Sequence, residues 1–558
     1  MANTNNIVAL LILLFFFSTS LADLPPTDCN GTPDPKFCQS NLATTGLTSD
    51  IHDLGRVSIR TSLSNARKFM ALVDKYLARK KNLSPSAVQA LIDCQFLSAL
   101  SMDYLQSTTS LVSANNLPNN EADDILTRLS ATLTNYQTCW EGLQTASSAW
   151  SIRNGIFMPL SNGTKLSSLS LSLFRRGWVH RKKKGKFEFL GGGGGGGGGS
   201  RKLLFSDDIP LDHLPLKMSI GNVKLFESLT GRRLLQAYPD SINVRAMVVV
   251  DPSGDGNFTT INDAVAAAPN NTDISGGYFL IYIVPGVYEE YVTIDKNKKN
   301  VMMIGSGINQ TIITGNRSVV DGSTTFNSST MAVVGERFVA VNITIRNTAG
   351  AIKHQAVAVR NGADLSTFYN CSIEGYQDTL YTHSMRQFYR NCDIYGTVDF
   401  IFGNAAVVLQ NCNLYARLPM QGQFNAITAQ GRTDPNQNTG TSIHSCTIKA
   451  TPDLASSTTT KTYLGRPWKE YSRTVYMQSY MDSLIDPAGW RDWNGTFALS
   501  TLYYAEYDNA GPGSNTSSRV NWPGYNVIDA TDANNFTVSN FIGGDGWLPV
   551  TKAPYQEA

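Results

Sequence analysis

Two aspartates, Asp378 and Asp399, stand 21 residues apart, each in an apolar setting: Asp378 in Gln377-Asp-Thr-Leu-Tyr381 and Asp399 in Gly396-Thr-Val-Asp-Phe-Ile-Phe-Gly403. A carboxylate in dry surroundings carries a desolvation cost that some role has to offset. A pair of them suits a division of labour, one acid attacking as a nucleophile and the other moving protons. A single buried aspartate is more often a turn or capping residue, so the reading rests on what accompanies the pair. Gln377 adjoins Asp378, and Gln355, in Gln355-Ala-Val-Ala358, lies 23 residues before it. Two amides beside two carboxylates supply oxyanion donors next to a nucleophile and an acid. Arg466 and Trp468, in Leu464-Gly-Arg-Pro-Trp468, add a cation and an aromatic plate suited to an anionic sugar. Each side chain alone also has a bland reading, as part of a glutamine ladder or a packed Arg-Pro-Trp turn. Their joint spacing is what points to chemistry.

That spacing needs a scaffold with a fixed step. Asn342-Ile-Thr-Ile345, Asn370-Cys-Ser-Ile373, Asn391-Cys-Asp-Ile394, Asn411-Cys-Asn-Leu414 and Ser445-Cys-Thr-Ile448 repeat one pattern at offsets of 28, 21, 20 and 34 residues. Repeats of this size, each supplying one strand phase, predict a solenoid, here an all-β right-handed parallel β-helix with loop insertions. A sandwich would not keep the phase. Asp378 and Asp399 share the step from Cys371 to Cys392, which puts them one coil apart on one face, with Gln355 about one coil further back. Cysteines in one phase stack about 4.8 Å apart. This predicts the pairs Cys371–Cys392 and Cys412–Cys446, stacked free thiols being the alternative.

The N-terminal half has another texture. Apolar Ile7 to Phe17 followed by Ser20-Leu-Ala22 reads as a signal peptide over 1–22, too short to span a bilayer. The chain is therefore expected to be secreted, with usable sequons at Asn82-Leu-Ser84 and Asn162-Gly-Thr164. Eight cysteines, four early and four late, suit an oxidising compartment and two separately cross-linked domains. Ile125, Leu129, Leu133, Tyr136, Trp140 and Leu143 form one helix face, and Leu63, Ala66, Met70, Val73 and Leu77 another. Ser84-Pro85 reads as the cap and first residue of a further helix. These predict an all-α bundle over 23–172, stapled by Cys94–Cys139, with Cys29–Cys38 closing a short loop. Residues 173–236 read as a linker. They hold the basic run Arg175 to Lys186, nine glycines (Gly191–Gly199), and two dibasic pairs, Arg201-Lys202 and Arg232-Arg233, as processing sites. The second domain then covers 237–558.

Charge and composition narrow the function classes. Residues 1–233 carry 25 Lys+Arg against 17 Asp+Glu, or +8, and residues 234–558 carry 21 against 27, or −6, so the halves attract. The basic run is a solvated tail in a secreted chain, with no nucleic-acid partner implied. No cysteine pair has zinc-ligand spacing, and no G-x-S-x-G nucleophile elbow occurs, which argues against a metal site and a serine esterase. Another β-helix enzyme acting on an anionic sugar polymer would need a calcium acid cluster or another aspartate set. A catalytically weak binding or inhibitor protein would not need the intact Asp/Gln/Arg set.

Gly286-Val-Tyr-Glu-Glu290, Gln355-Ala-Val-Ala358, Gln377-Asp-Thr-Leu380, Gly396-Thr-Val-Asp-Phe-Ile-Phe-Gly403 and Leu464-Gly-Arg-Pro-Trp468 occur in the order found in plant pectin methylesterases, which residues 240–555 closely resemble. The helical part resembles the pectin methylesterase inhibitor domain that precedes the longer family members, and both dibasic Leu-Leu motifs resemble their processing sites. The nine-glycine run departs from that pattern. The resemblance implies methyl-ester hydrolysis on cell-wall homogalacturonan by a four-helix-bundle pro-domain and β-helix enzyme, with no cofactor. It implies attack by Asp399, and proton transfer by Asp378 first as acid, then as base. Gln355 and Gln377 would hold the oxyanion, Arg466 would orient Asp399 and the sugar, Trp468 would stack on the ring, and Thr325 would touch substrate. The implied partners are pectin, a processing protease and an inhibitor domain, in the same chain or separate, acting on a monomer in the cell wall.

Overall fold

The computed structural model describes residues 29, 31–43, 50–146, 150–179, 216–217, 219–230 and 241–557. The expected signal peptide, the polyglycine run and both dibasic pairs lie outside the described residues. The N-terminal part is helical: α1 (Pro35–Ala43), α2 (Ile51–Leu77), α3 (Pro85–Leu111), α4 (Asn119–Thr145) and α5 (Trp150–Gly177). Ser84 caps α3 as its sequence predicts, its hydroxyl accepting from Ala87 N at 3.2 Å with Pro85 in the first turn. Helices α2 to α5 form the bundle, α2 and α4 each packing on α3 and α5. Disulfides Cys94–Cys139 (Cα–Cα 4.6 Å) and Cys29–Cys38 (5.6 Å) cross-link it.

Helix α4 buries two stripes rather than one. Ile125, Leu129, Leu133, Tyr136 and Leu143 are buried with the bundle core. Thr127, Ser130, Thr134 and Thr138, at the same three-to-four spacing, meet the second domain. Asn438 Nδ2 donates to Thr127 Oγ1 at 2.9 Å, Gln437 Nε2 to Ser130 O at 2.9 Å and Asn404 Nδ2 to Thr134 Oγ1 at 2.9 Å.

The second domain is a parallel β-helix. Among the described residues its three sheets have twelve, eight and seven strands, and every strand pairing is parallel. One coil runs Leu380–Thr382, Arg386–Arg390 and Asp393–Gly396, and the next runs Ile401–Gly403, Ala406–Gln410 and Asn413–Ala416. The repeat's leading residue turns the corner between the last two strands of a coil in left-handed backbone: φ is 53° at Asn370, 53° at Asn391 and 56° at Asn411. Asparagine tolerates that conformation, and its amide bonds to the next corner: Asn411 Nδ2 donates to Asn391 Oδ1 at 2.7 Å. The following Ile or Leu points into the solenoid core with Ile345, Ile373, Ile394, Leu414 and Ile448 aligned.

Two expectations are corrected. Cys371, Cys392, Cys412 and Cys446 are free and buried, not paired. In-register strands hold successive side chains parallel about 4.8 Å apart, wider than the roughly 3.8 Å between the Cβ atoms of a disulfide. The thiols instead form a ladder: Cys392 N donates to Cys412 Sγ and Cys412 N to Cys446 Sγ, both at 3.4 Å. The 173–236 stretch is also not linker throughout. Helix α5 continues to Gly177, and Leu216–Lys217 forms a strand paired with Ile242–Val250 at the start of the twelve-stranded sheet. Helix α6 (Ile220–Thr230) follows, and its Phe226 packs on Tyr282 at 5.4 Å. Buried Leu216, Val223 and Phe226 give these residues enough apolar surface to dock.

Candidate active site

The seven-stranded sheet positions the acids. Strands Leu380–Thr382 and Ile401–Gly403 pair in register, Leu380 with Ile401 and Tyr381 with Phe402, so Asp378 and Asp399 occupy the same place on adjacent coils. Asp378 N donates to Val398 O at 3.1 Å, and Ala356 N to Gln377 O at 3.2 Å, which continues the column back to Gln355. Both acids have left-handed backbone, φ 64° at Asp378 and 53° at Asp399. Such residues cost on the order of 1–3 kcal/mol each and persist where the surroundings impose them. Here glycines make room. A Cβ on Gly396 would lie 2.2 Å from Phe400 Cβ, and Gly403, at φ 130°, has Thr382 O 2.1 Å from where its Cβ would be.

A cleft of about 410 Å³ opens over this column. The structure brings Thr325, Gln355, Gln377, Asp378, Asp399, Arg466 and Trp468 to its wall. Arg466 grips Asp399 with both prongs, Nε to Oδ1 at 2.8 Å and Nη2 to Oδ2 at 2.6 Å. Asp378 has no ion pair among the described residues. Burial pushes the Asp378 carboxyl well above the ordinary range, the Asp399 charge adds to that, and Arg466 opposes it. Burial also raises Asp399, against the hydrogen bond and charge of Arg466. Burial thus favours the proton on both acids, and Arg466 opposes it chiefly at Asp399, where it makes two hydrogen bonds. Gln377 Oε1 is buried beside the acids without a hydrogen-bond partner.

Several cleft residues escaped the sequence reading. Tyr381 and Phe402 stack at 4.2 Å, and Trp468 meets them edge-on at 6.4 and 5.8 Å. The 21-residue step that joins the acids joins these two rings as well, so the signal was present. Trp493, with its ring centroid 4.2 Å from the Arg466 guanidinium carbon, lies in a loop that no repeat marks. Among the described residues no group of three or more His, Cys, Asp or Glu is placed to hold a metal ion.

The helical domain forms the opposite wall. Thr138, Glu141, Gly142 and Thr145 of α4 line the cleft, Thr138 Oγ1 lies 3.0 Å from His383 Nε2, and Glu141 pairs with Lys469 beside Trp468. Asp93 of α3 accepts from Thr324 Oγ1 and Asn327 Nδ2, each at 2.5 Å. Phe326, Val357, Tyr381, Phe402 and Ala429 of the β-helix share one apolar cluster with Phe69, Leu91, Tyr136 and Leu160 of the bundle.

The pectinesterase family profile matches residues 247–545, more than half the chain. This chain belongs to the pectinesterase family. The profile for plant invertase/pectin methylesterase inhibitor matches residues 25–173. "Probable pectinesterase/pectinesterase inhibitor 41" of Arabidopsis thaliana is 58% identical over 95% of this chain and 93% of its own length. "Pectinesterase 2" of Citrus sinensis is 44% identical over 98% of each. A solved pectin methylesterase from carrot superposes with a TM-score of 0.55 and 56% identity, over 56% of this chain and 97% of its own. In this pectinesterase the match to the esterase profile holds the acid pair, and the match to the inhibitor profile holds α4, which covers it.

Proposed function

We propose that the chain is a carboxylic ester hydrolase that removes methyl esters from the homogalacturonan of cell-wall pectin, releasing methanol and leaving pectate. The observation that carries the mechanism is the unequal treatment of two register-matched acids: Asp399 is clamped by Arg466 while Asp378 is left to burial and the Asp399 charge. Asp399 attacks the ester carbonyl carbon. The negative oxygen that forms is held by the amides of Gln355 and Gln377. As the C–O bond to the methoxy group breaks, Asp378 gives its proton to the departing oxygen, and methanol leaves an anhydride between Asp399 and the galacturonate. Asp378, now a carboxylate, takes a proton from water. The hydroxide attacks the sugar's carbonyl carbon, the anhydride opens, and both acids return to their starting state. Trp468 stacks on the ring, Thr325 lies along the substrate path, and Arg466 keeps Asp399 charged and aimed.

In this reading the helical domain is an inhibitory pro-domain, since α4 and substrate claim the same space. The precursor is secreted, cut at Arg232-Arg233 or Arg201-Lys202 by a processing protease, and works as a monomer in the wall. No helix among the described residues is long and apolar enough to cross a membrane. Methanol release from methylated pectin, before and after cleavage at the dibasic pairs, tests the reading. Release that rises on cleavage supports it, and no release from either form overturns it.

A further inference from the structure

Helix α2 of the bundle buries one face, with Ile59, Leu63, Ala66, Phe69 and Val73 in the core, and turns the other to water. On that outer face Arg60 and Arg67 stand seven residues apart, as do Lys68 and Lys75, and seven residues are close to two helical turns. The two pairs therefore make two rows, one on each flank of the small residues Ser64 and Ala71. Arg79 extends the second row just past the helix end, with Lys80 and Lys81 in the short 3₁₀ turn that follows. All of these cations are exposed, and Arg60 to Lys75 covers about 22 Å of helix.

A solvated helix face gains stability from acids placed three or four residues from its bases. Arg60, Arg67, Lys68, Lys75 and Arg79 have no acid at either spacing. None of them, nor Lys80 or Lys81, forms an ion pair among the described residues. The two acids within α2 are already engaged: Asp53 pairs with Arg56 at 2.8 Å, and Asp74 accepts from Gln95 Nε2 at 2.7 Å. Lys75 and Arg79 to Lys81 also suit the negative C-terminal end of a helix, but Arg60, Arg67 and Lys68 lie more than a turn from that end. The helix thus carries a run of like charges that its own fold leaves without counterions.

We propose that this outer face of α2 binds de-esterified homogalacturonan, a linear polymer with a carboxylate on every unit. Rows of cations with no acid between them complement a linear polyanion better than the mixed charge of a folded protein surface. The choice of polymer rests on the reading of the cleft as a pectin esterase site, since this polyanion is the product of that reaction. Fully methylated pectin is uncharged and offers the cations nothing to hold. The helical domain is therefore retained where ester has already been removed, so the inhibitory part gathers around polymer that the enzyme has finished with.

The test measures binding of the uncut chain to polygalacturonate and to fully methylated pectin. It compares wild type with R67Q/K68Q/K75Q and with K217Q/K224Q/K449Q, which removes as much charge from exposed positions elsewhere. R67Q/K68Q/K75Q weakens binding to polygalacturonate about tenfold and leaves binding to the methylated polymer unchanged, while the second variant stays within about twofold of wild type on both. Added salt weakens the wild-type complex with polygalacturonate, because the contact is between charges. Equal losses in the two variants overturn the proposal, as does an equal loss on the two polymers. Binding to polygalacturonate that salt does not move also overturns it, and that result needs no variant to fold. Binding to vesicles of anionic phospholipid with none to polygalacturonate overturns it in favour of a lipid surface. Methanol release by the cut chain is measured alongside: its absence overturns the esterase reading and leaves the comparison of the two polymers to stand by itself.

Discussion

Arg466 holds Asp399 by two hydrogen bonds, at 2.8 and 2.6 Å, and leaves Asp378, one coil away in the same register, without a cation of its own. A scaffold that repeats every coil would by itself make the two acids equivalent. The loop bearing Arg466 breaks the symmetry, and only Asp399 lies on the side of the break that carries the cation.

Replacing Asp399 with Asn keeps the shape and removes the attacking group. Methanol release should fall on the order of 10⁴-fold, as for loss of a covalent nucleophile, with thermal unfolding little changed. Near-normal turnover by folded D399N would exclude Asp399 as the nucleophile.

In the proposed mechanism the two acids should set opposite limbs of the pH–rate profile. Asp399 must be ionised to attack, so the rate falls as pH drops through its raised value, above the ordinary 3.8. Asp378 must be protonated when methanol leaves, so the rate falls as pH rises through its own value, which lies higher. D378N should turn over slowly and lose the fall on the alkaline side. An unchanged profile in that variant would assign the proton transfer to another group.

Changing Arg232 and Arg233 to Ala together with Arg201 and Lys202 should give an uncut chain of low activity, because Glu141 and Thr138 occupy the cleft wall over Trp468 and His383. Full activity in that uncut chain would refute both the cleavage and the masking.

Docking of the helical domain should weaken with pH through Asp93. Burial at the seam raises its carboxyl from 3.8 to about 7, against hydrogen bonds from Thr324 and Asn327 and the charge of Arg360. The docked form holds the proton more tightly than a solvent-exposed carboxyl does. Its contribution is therefore complete below 3.8 and is lost progressively up to about 7. After cleavage, co-elution of the two domains should weaken across that window by up to about tenfold per pH unit, and D93N should flatten the dependence. Equal slopes for D93N and wild type would place the titrating group elsewhere.

Four thiols should alkylate when the chain is unfolded without reductant, and none while it is folded, since Cys371, Cys392, Cys412 and Cys446 are buried and free. Labelling of fewer than four by mass spectrometry would restore a disulfide to the β-helix.

Much of this was legible because a solenoid writes its geometry as a period. The step from Cys371 to Cys392 placed Asp378 beside Asp399, and the Ile125 to Leu143 stripe located a bundle helix. The cysteine pairing failed because the phase of a residue gives its height in the stack and not the direction of its Cβ. The linker ran too long because glycine and basic runs hid Leu216 and Phe226, whose burial depends on a strand edge far along the chain. The Thr127–Thr138 stripe carried no signal either. Serine and threonine on a helix face read as solvated until Asn404 and Gln437 are found opposite them.

The strand Leu216–Lys217 lies between the two dibasic pairs and closes the open side of Ile242–Val250. Severing the backbone after Arg233 would turn that closure from a tether into a ligand, the C-terminal segment of the released part, kept only by the affinity of its two-residue ladder and the apolar side chains of α6. The enzyme that matures this way then depends on concentration and temperature for its first rung. Loss of the peptide bares unpaired amides at one end of the solenoid, and an extended segment of another molecule fits such an edge. Cutting at Arg201-Lys202 leaves the closure covalent, so the choice between two proteolytic sites is also a choice between a sealed and a sticky mature end.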